Sequence, residues 1–405
     1  MNKIITSLFL ILSFSAFAQT SDSIIPASGA LEVYYDFETQ TKTSVTRTSW
    51  DIGLTTNPRG ASIIINEMVG VELFLYSMDI NEWETLDTNG MSWDNLYNSQ
   101  STWDEGAFSN QGTSHPDYGW GVYNMNTHDI VGNRIFIIRT AEGFYLKMVV
   151  EKLSPSGDYT FKTAKLDGSD LKNHSFSKSA NAAKNFGLLD LLTGDFVTTN
   201  PERKDWDILF TKYITTVIQG PASRDMLVSG VKLNVNCRVA ERSGDVTSDD
   251  TTNLSWSTNI TEIGYDWKAF DRDNYKYDIT PDLAYFVSTE NGAMYKIWFT
   301  KYTLGSGNFF FNTKQLKEGV LSTNNIQKLN TQVYPNPSNG LLTIANEEKE
   351  ELTVKLINMH GAVMATESIA ALANTQLVTS DFAKGIYFLQ LSTSATSNTQ
   401  RVIFE

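Results

Sequence analysis

Trp206 Asp207 Ile208 Leu209 Phe210 Thr211 restates Trp50 Asp51 Ile52 Gly53 Leu54 Thr55, and the reading of the whole chain turns on this pair. Outward from it, Gly70 Val71 Glu72 Leu73 returns as Gly230 Val231 Lys232 Leu233, and residues 139–148 (RTAEGFYLKM) return as 288–297 (STENGAMYKI). The blocks keep their order at offsets of 156, 160 and 149 residues. Loop insertions produce this drift between two copies of one fold, so the sequence predicts a tandem duplication. The period is far above the ~20–50 residues of solenoids and propellers, so each copy is expected to form a domain with its own core.

The repeated blocks read as strands and turns. Residues 33–37, 62–66, 71–76, 135–138, 145–150, 231–235, 283–287, 295–300 and 309–312 are short runs rich in β-branched and aromatic residues, punctuated by Gly, Asn, Asp, Ser and Pro. In the Trp-Asp-Ile stretch, alternation puts Trp206, Ile208 and Phe210 on one face, which predicts Trp206 in the core. Each copy ends in a hairpin, turning at Gly143 and at Gly292, where a positive φ is free for glycine. Residues 180–192 come nearest to helical spacing, and at most a turn or two is expected there.

A polar linker over residues 318–332 precedes a third unit. That unit opens with Val333 Tyr334 Pro335 Asn336 Pro337 Ser338 Asn339 Gly340, continues with strand-like runs at 352–357 and 385–391 and a turn at His360 Gly361, and closes with Arg401 Val402 Ile403 Phe404. The expected fold class is all-β: two similar antiparallel β domains in tandem, at 27–175 and 180–320, and a small C-terminal β-sandwich at 333–405.

At the N-terminus, Lys3, an apolar run over 4–14 and Ser15 Ala16 Phe17 Ala18 read as a secretory signal peptide spanning residues 1–18. The run is shorter than a membrane-spanning helix requires, and no transmembrane segment is expected elsewhere. A single cysteine, Cys237, leaves no intramolecular disulfide, so stability rests on cores supplied by nine Trp, seventeen Tyr and twenty-two Phe. A formal charge of −14 argues against nucleic acid as a partner.

Two resemblances follow from these residues. The terminal unit resembles the C-terminal sorting domain of type IX secretion cargo, through Tyr334 Pro335 Asn336 Pro337 with Gly340, Leu356 Ile357 Asn358 with Gly361, Lys384 Gly385 Ile386 Tyr387, and Arg401. This implies the type IX secretion machinery as a partner, export through the periplasm, and a secreted or cell-surface destination. The duplicated unit resembles the HmuY-type haem-binding proteins. In the second copy the resemblance rests on residues 206–213, 228–231, 263–268 and 295–300; in the first it rests on 50–55, Trp120 and 133–147.

The second resemblance implies haem held by axial residues on loops. The implied positions fall at Met125, five residues after Trp120, and at Met91, which follows Gly90; a thioether is an admissible iron donor. His115 and His128, which flank Trp120, form the other candidate pair. The position matching Met125 in the second copy is Arg272, which has no lone pair for iron, so haem is expected through the first copy alone. Trp83, Trp93, Tyr97 and Trp103 lie in a polar stretch where exposed rings suit a flat ligand. Cys237 is read as a buried filler. Asp271, Asp273 and Asp278 crowd one loop without EF-hand phasing. No nucleophile elbow, phosphate loop or zinc spacing occurs, so no enzyme is expected. The function expected is non-catalytic binding of haem; the alternative is a surface interaction module that keeps the fold without haem.

Overall fold

A computed structural model describes residues 19–24, 26, 29–219, 222–319, 329–359, 361–393 and 397–405; the expected signal peptide and His360 lie outside them. The chain is all-β, built of antiparallel sheets. It divides into two compact units, at residues 1–320 and 321–405.

The first unit contains two runs of strands in the same order. The first run is β1 (Gln19–Ile24), β2 (Leu31–Tyr35), β3 (Lys42–Thr46), β4 (Ile52–Thr55), β5 (Ile63–Ile65), β6 (Glu72–Ser77), β7 (Gly121–Tyr123), β8 (Ile130–Gly132), β9 (Ile135–Arg139), β10 (Tyr145–Leu153) and β11 (Asp158–Lys165). The second is β12 (Lys172–Ser177), β13 (Phe186–Leu189), β14 (Ile208–Gln219), β15 (Ala222–Leu233), β16 (Arg238–Ser243), β17 (Lys268–Asp271), β18 (Lys276–Ile279), β19 (Leu283–Ser288), β20 (Met294–Tyr302) and β21 (Phe309–Lys317).

The first run lends β1, β2 and, paired with β2, β3 to the other lobe, and the second lends β12 and β13. In one lobe β6, β9, β10 and β11 are completed by β12; in the other β16, β19, β20 and β21 are completed by β1. Likewise β4 pairs with β13, whereas β14 pairs with β2. The first lobe therefore runs unbroken from residue 50 to 191, with Ile52, Phe136, Phe161 and Leu191 in its core. The second combines residues 19–46 with 206–317 around Tyr35, Phe210, Trp267 and Phe311. Against the expected split at 27–175 and 180–320, residues 31–46 fall with the second core and 186–191 with the first. Matched blocks mark equivalent positions, and equivalence does not say which repeat's strand lies alongside.

Side-chain bonds show the equivalence directly. Asn66 Nδ2 donates to the Arg47 and Trp50 carbonyls (2.6 and 2.8 Å), and Asn234 Nδ2 donates to those of Arg203 and Trp206 (2.7 and 2.6 Å). Both β10 and β20 carry a register shift, at Val150/Lys152 and Phe299/Lys301. One matched block moves: Ile52 pairs with Ile65 as Ile208 pairs with Leu233, so residues 63–66, not 70–73, correspond to 231–234.

The two lobes share a seam. Trp50, Trp206, Tyr34, Ile64, Leu188 and Leu209 pack together there, Tyr34 edge-on to Trp206 at 5.0 Å. Trp206 is buried as expected, but in this seam with Leu209 rather than with Ile208 and Phe210, which face the second core; the strand begins at Ile208, so its alternation does not reach back to Trp206. Gly53 is where a side chain is not tolerated: a Cβ would stand 2.8 Å from Ile64 Cγ1 and 3.1 Å from Leu188 Cδ2. Residues 180–192 hold a 3-10 turn and then β13, whose short apolar run has no period long enough to separate strand from helix.

The second unit stacks a three-stranded sheet, β22 (Thr331–Tyr334), β23 (Leu341–Asn346) and β26 (Asn374–Val378), on a four-stranded one of β24 (Leu352–Asn358), β25 (Val363–Ile369), β27 (Gly385–Ser392) and β28 (Ser397–Phe404). Leu342, Ile344, Leu356, Leu389 and Val402 fill the space between, as in a small sandwich.

Candidate ligand site of the first lobe and the terminal unit

The hairpin between β9 and β10 is built by its turn. Thr140 donates its amide to the Phe144 carbonyl, Gly143 donates to the Thr140 carbonyl (both 2.8 Å), and Gly143 takes φ +89°. Its tip stands beside the turn between β11 and β12, where Gly168 donates to the Lys165 carbonyl at 2.9 Å. Between the tips lies a groove of ≈ 550 Å³ lined by Phe144, Tyr145, Leu146, Leu166 and Leu192, with Lys165, Asp167 and Asp170 also on its wall. Phe144 is 60% exposed and Tyr145 40%. Trp93, 44% exposed, sets its edge against Tyr145 at 5.7 Å and against Phe74 at 5.0 Å, which extends the apolar ledge.

The second lobe keeps the turn and lacks the groove's aromatic wall. Thr289 donates to the Ala293 carbonyl and Gly292 to that of Thr289, so Ala293 and Met294 stand where Phe144 and Tyr145 stand in the first lobe. Ala293 is buried.

The other expected site residues are scattered. Met91 lies half-buried two residues before Trp93, near the Tyr145 end of β10. Met125 is 71% exposed in the turn between β7 and β8, and β8 pairs with the Leu153 end of that strand. A nine-residue strand rising about 3.3 Å per residue separates those ends by about 25 Å. The structure does not bring Met91 and Met125 to one iron, and this pair does not fit haem. His115 and His128 do meet, through Tyr123: the His115 ring is 5.4 Å from it, and the Tyr123 hydroxyl is 2.7 Å from His128 Nδ1. Arg272 does match Met125, in the turn between β17 and β18.

Of the other aromatics in that stretch, Trp83 is buried beneath the Lys147 and Lys162 amines, and Trp103 packs on Phe186 and donates Nε1 to the Leu233 carbonyl at 2.8 Å. Cys237 is buried as expected, but its Sγ faces Asp207 Oδ1 at 3.6 Å, and burial pushes the thiol pKa well up. Asp271 accepts the amides of Asp273 and Asn274, an internal turn; among the described residues no group of three or more His, Cys, Asp or Glu is placed to hold a metal. The ledge of Phe144 and Tyr145 was missed as a site. Its signal was present in the matched blocks, where Phe144 Tyr145 stands against Ala293 Met294.

In the terminal unit the opening motif clasps the last strand. Asn336 donates Nδ2 to the Arg401 carbonyl (2.9 Å) and accepts from the Ile403 amide (3.0 Å), while Ser338 donates its amide to the Ile403 carbonyl (2.8 Å). Tyr387 donates its hydroxyl to the Ala383 carbonyl at 2.9 Å. Residues 332–405 match the family model of the secretion system C-terminal sorting domain. The chain carries a type IX sorting tail. The sorting tail indicates export by the type IX machinery and a secreted or cell-surface placement. No curated protein compared with the chain matches it. No helix among the described residues is long and apolar enough to cross a membrane.

Proposed function

We propose that the region ahead of the sorting tail is a non-catalytic binding module whose ligand seat is the groove of the first lobe. The difference between the repeats carries this reading: at one turn of otherwise equivalent construction, the first lobe exposes Phe144 and Tyr145 where the second has the buried Ala293 and the half-buried Met294. Holding large aromatic side chains in water beside a concave surface gains nothing for folding, and such patches mark binding sites. The groove lies within the volume range of small-molecule pockets. The charged residues of the wall are mixed, Lys165 with Asp167 and Asp170, so the apolar ledge selects the ligand and suits a flat apolar body.

Haem is the first member of that class to test, in keeping with the resemblance to HmuY-type proteins, with the groove rather than the Met91 and Met125 pair as its seat. The second reading is a surface interaction module in which the groove receives an apolar side chain of a partner protein; the separation of the two methionines favours it. Titrating haem and metal-free protoporphyrin into the chain lacking residues 1–18 separates the readings. Binding of both porphyrins, weakened at least ten-fold in the Phe144→Ser, Tyr145→Ser double variant and retained in Met91→Ala, Met125→Ala, supports the groove. Haem-only binding lost with the methionines overturns the groove as the seat, and no binding of either porphyrin leaves the interaction module.

A further inference from the structure

A second cavity, ≈ 130 Å³, opens in the other lobe between the seam and the turn ahead of β21. Its wall includes Arg47, Lys212, Ser229, Tyr302 and the glycine-containing loop Leu304 Gly305 Ser306 Gly307, and no carboxylate. Arg47 and Lys212 converge on one point: a Cβ placed on Gly29 would stand 3.5 Å from both Arg47 Nη1 and Lys212 Nζ. Two cations held this close repel each other, and no carboxylate stands within ion-pair distance of either among the described residues. Arg47 is 3% exposed; its Nη1 donates to the Gly29 carbonyl at 2.8 Å, while its Nε has no hydrogen-bond partner. A third amine lies behind the wall, where Lys268 Nζ donates to the Ser229 carbonyl at 2.6 Å and sits 4.7 Å above the Tyr302 ring.

Burying cations without counter-charge is costly, and a chain of net charge −14 has carboxylates to spare. Glu32 is the acid nearest to Arg47 in effect, but burial raises its own pKa to about 7, so it is a weak counter-ion at neutral pH. Lys212 responds accordingly: burial, and then Arg47 beside it, push its pKa down. An anion in the cavity relieves both.

We infer that this cavity is an oxyanion-binding site, in which the Arg47 guanidinium and the Lys212 amine receive a sulfate, phosphate or carboxylate group of an extracellular ligand. Arginine pairs with such groups through its planar fork, and the lysine adds a point charge. The site is specific to the second lobe. In the first, Arg203 is equivalent to Arg47 by its place in the turn before the Trp, and it is consumed by Asn185 Oδ1 and the Lys184 carbonyl.

Calorimetric titration of the full chain lacking residues 1–18 with sodium sulfate, sodium phosphate and sodium acetate, each at constant ionic strength, tests the inference and distinguishes the three sources. Saturable binding of at least one anion at one site per chain is expected, weakened at least ten-fold in Lys212→Met. Lys204→Met, an exposed lysine paired with Glu202, controls for net charge and leaves binding unchanged. Arg47→Met is expected to abolish binding; if it fails to fold, Lys212→Met decides alone. No saturable binding of any of the three, equal affinity in Lys212→Met, or equal losses in Lys212→Met and Lys204→Met overturns the site.

Discussion

Asp51 and Asp207 do the same work in opposite directions across the molecule. Asp51 Oδ2 accepts the amide of Leu191, two residues beyond β13, and Asp207 Oδ2 accepts the amide of Phe37, two residues beyond β2 (2.8 and 2.9 Å). Each carboxylate thus ties down the strand lent by the other repeat. Asp51 also accepts the Ala141 amide at 2.8 Å and so holds the hairpin that carries the ligand groove.

Removing either carboxylate leaves buried amides unpaired. At about 1–3 kcal/mol for each stranded group, Asp51→Ala is expected to cost about 3 kcal/mol and Asp207→Ala about 2. Urea unfolding midpoints check this, and Asp51→Asn is expected to recover part of the loss by keeping one acceptor.

Stability should fall as pH rises from about 4 to about 7. Burial raises the folded pKa of Glu32 and of Asp207 to about 7 each, while the unfolded groups titrate near 4. Between those values the unfolded chain has released protons that the folded chain retains, so the advantage present below pH 4 is lost through pH 7 and stays lost above it. Urea midpoints at pH 5 and pH 8 report the difference. Glu32→Gln should narrow it; an unchanged difference would show that Glu32 does not contribute.

The exchange of strands is unequal in its consequences for truncation. Deleting residues 19–46 removes β1, β2 and β3 from the second lobe, whereas the first lobe keeps every strand of its own sheets. Amide exchange of the deleted chain should be fast in β19 to β21 and remain slow in β9 to β11. Slow exchange in both would refute the pairing.

Export rests on the terminal unit. A chain lacking residues 332–405 is expected to stay inside the cell envelope, and its appearance in the medium at the full-length level would show that another signal suffices.

Much of the fold is legible in the sequence, and the part that is not has a physical cause. The Trp-Asp-Ile blocks and the Gly143 and Gly292 hairpins locate equivalent strands because burial and turn geometry restrict those residues tightly. The lent strands were harder to see. Asp36 and Thr39 recur as Asp190 and Thr193, each Asp carboxylate accepting the Thr amide (2.7 and 3.0 Å), but Tyr34 Tyr35 stand where the other repeat has Leu188 Leu189, and the seam position and the core position beside it ask only for apolar bulk. The groove was legible only as a difference, Phe144 against Ala293, once the turns were known to match. Loop spacing misled over Met91 and Met125, because position along a loop says nothing about which end of β10 it reaches.

The groove as ligand seat is tested most directly by amide exchange of the chain lacking residues 1–18, measured with and without saturating protoporphyrin. The account predicts new protection confined to residues 144–146 and 165–167, on the two walls of the groove. Protection of the His115 to His128 region instead, or none at the groove, would contradict it.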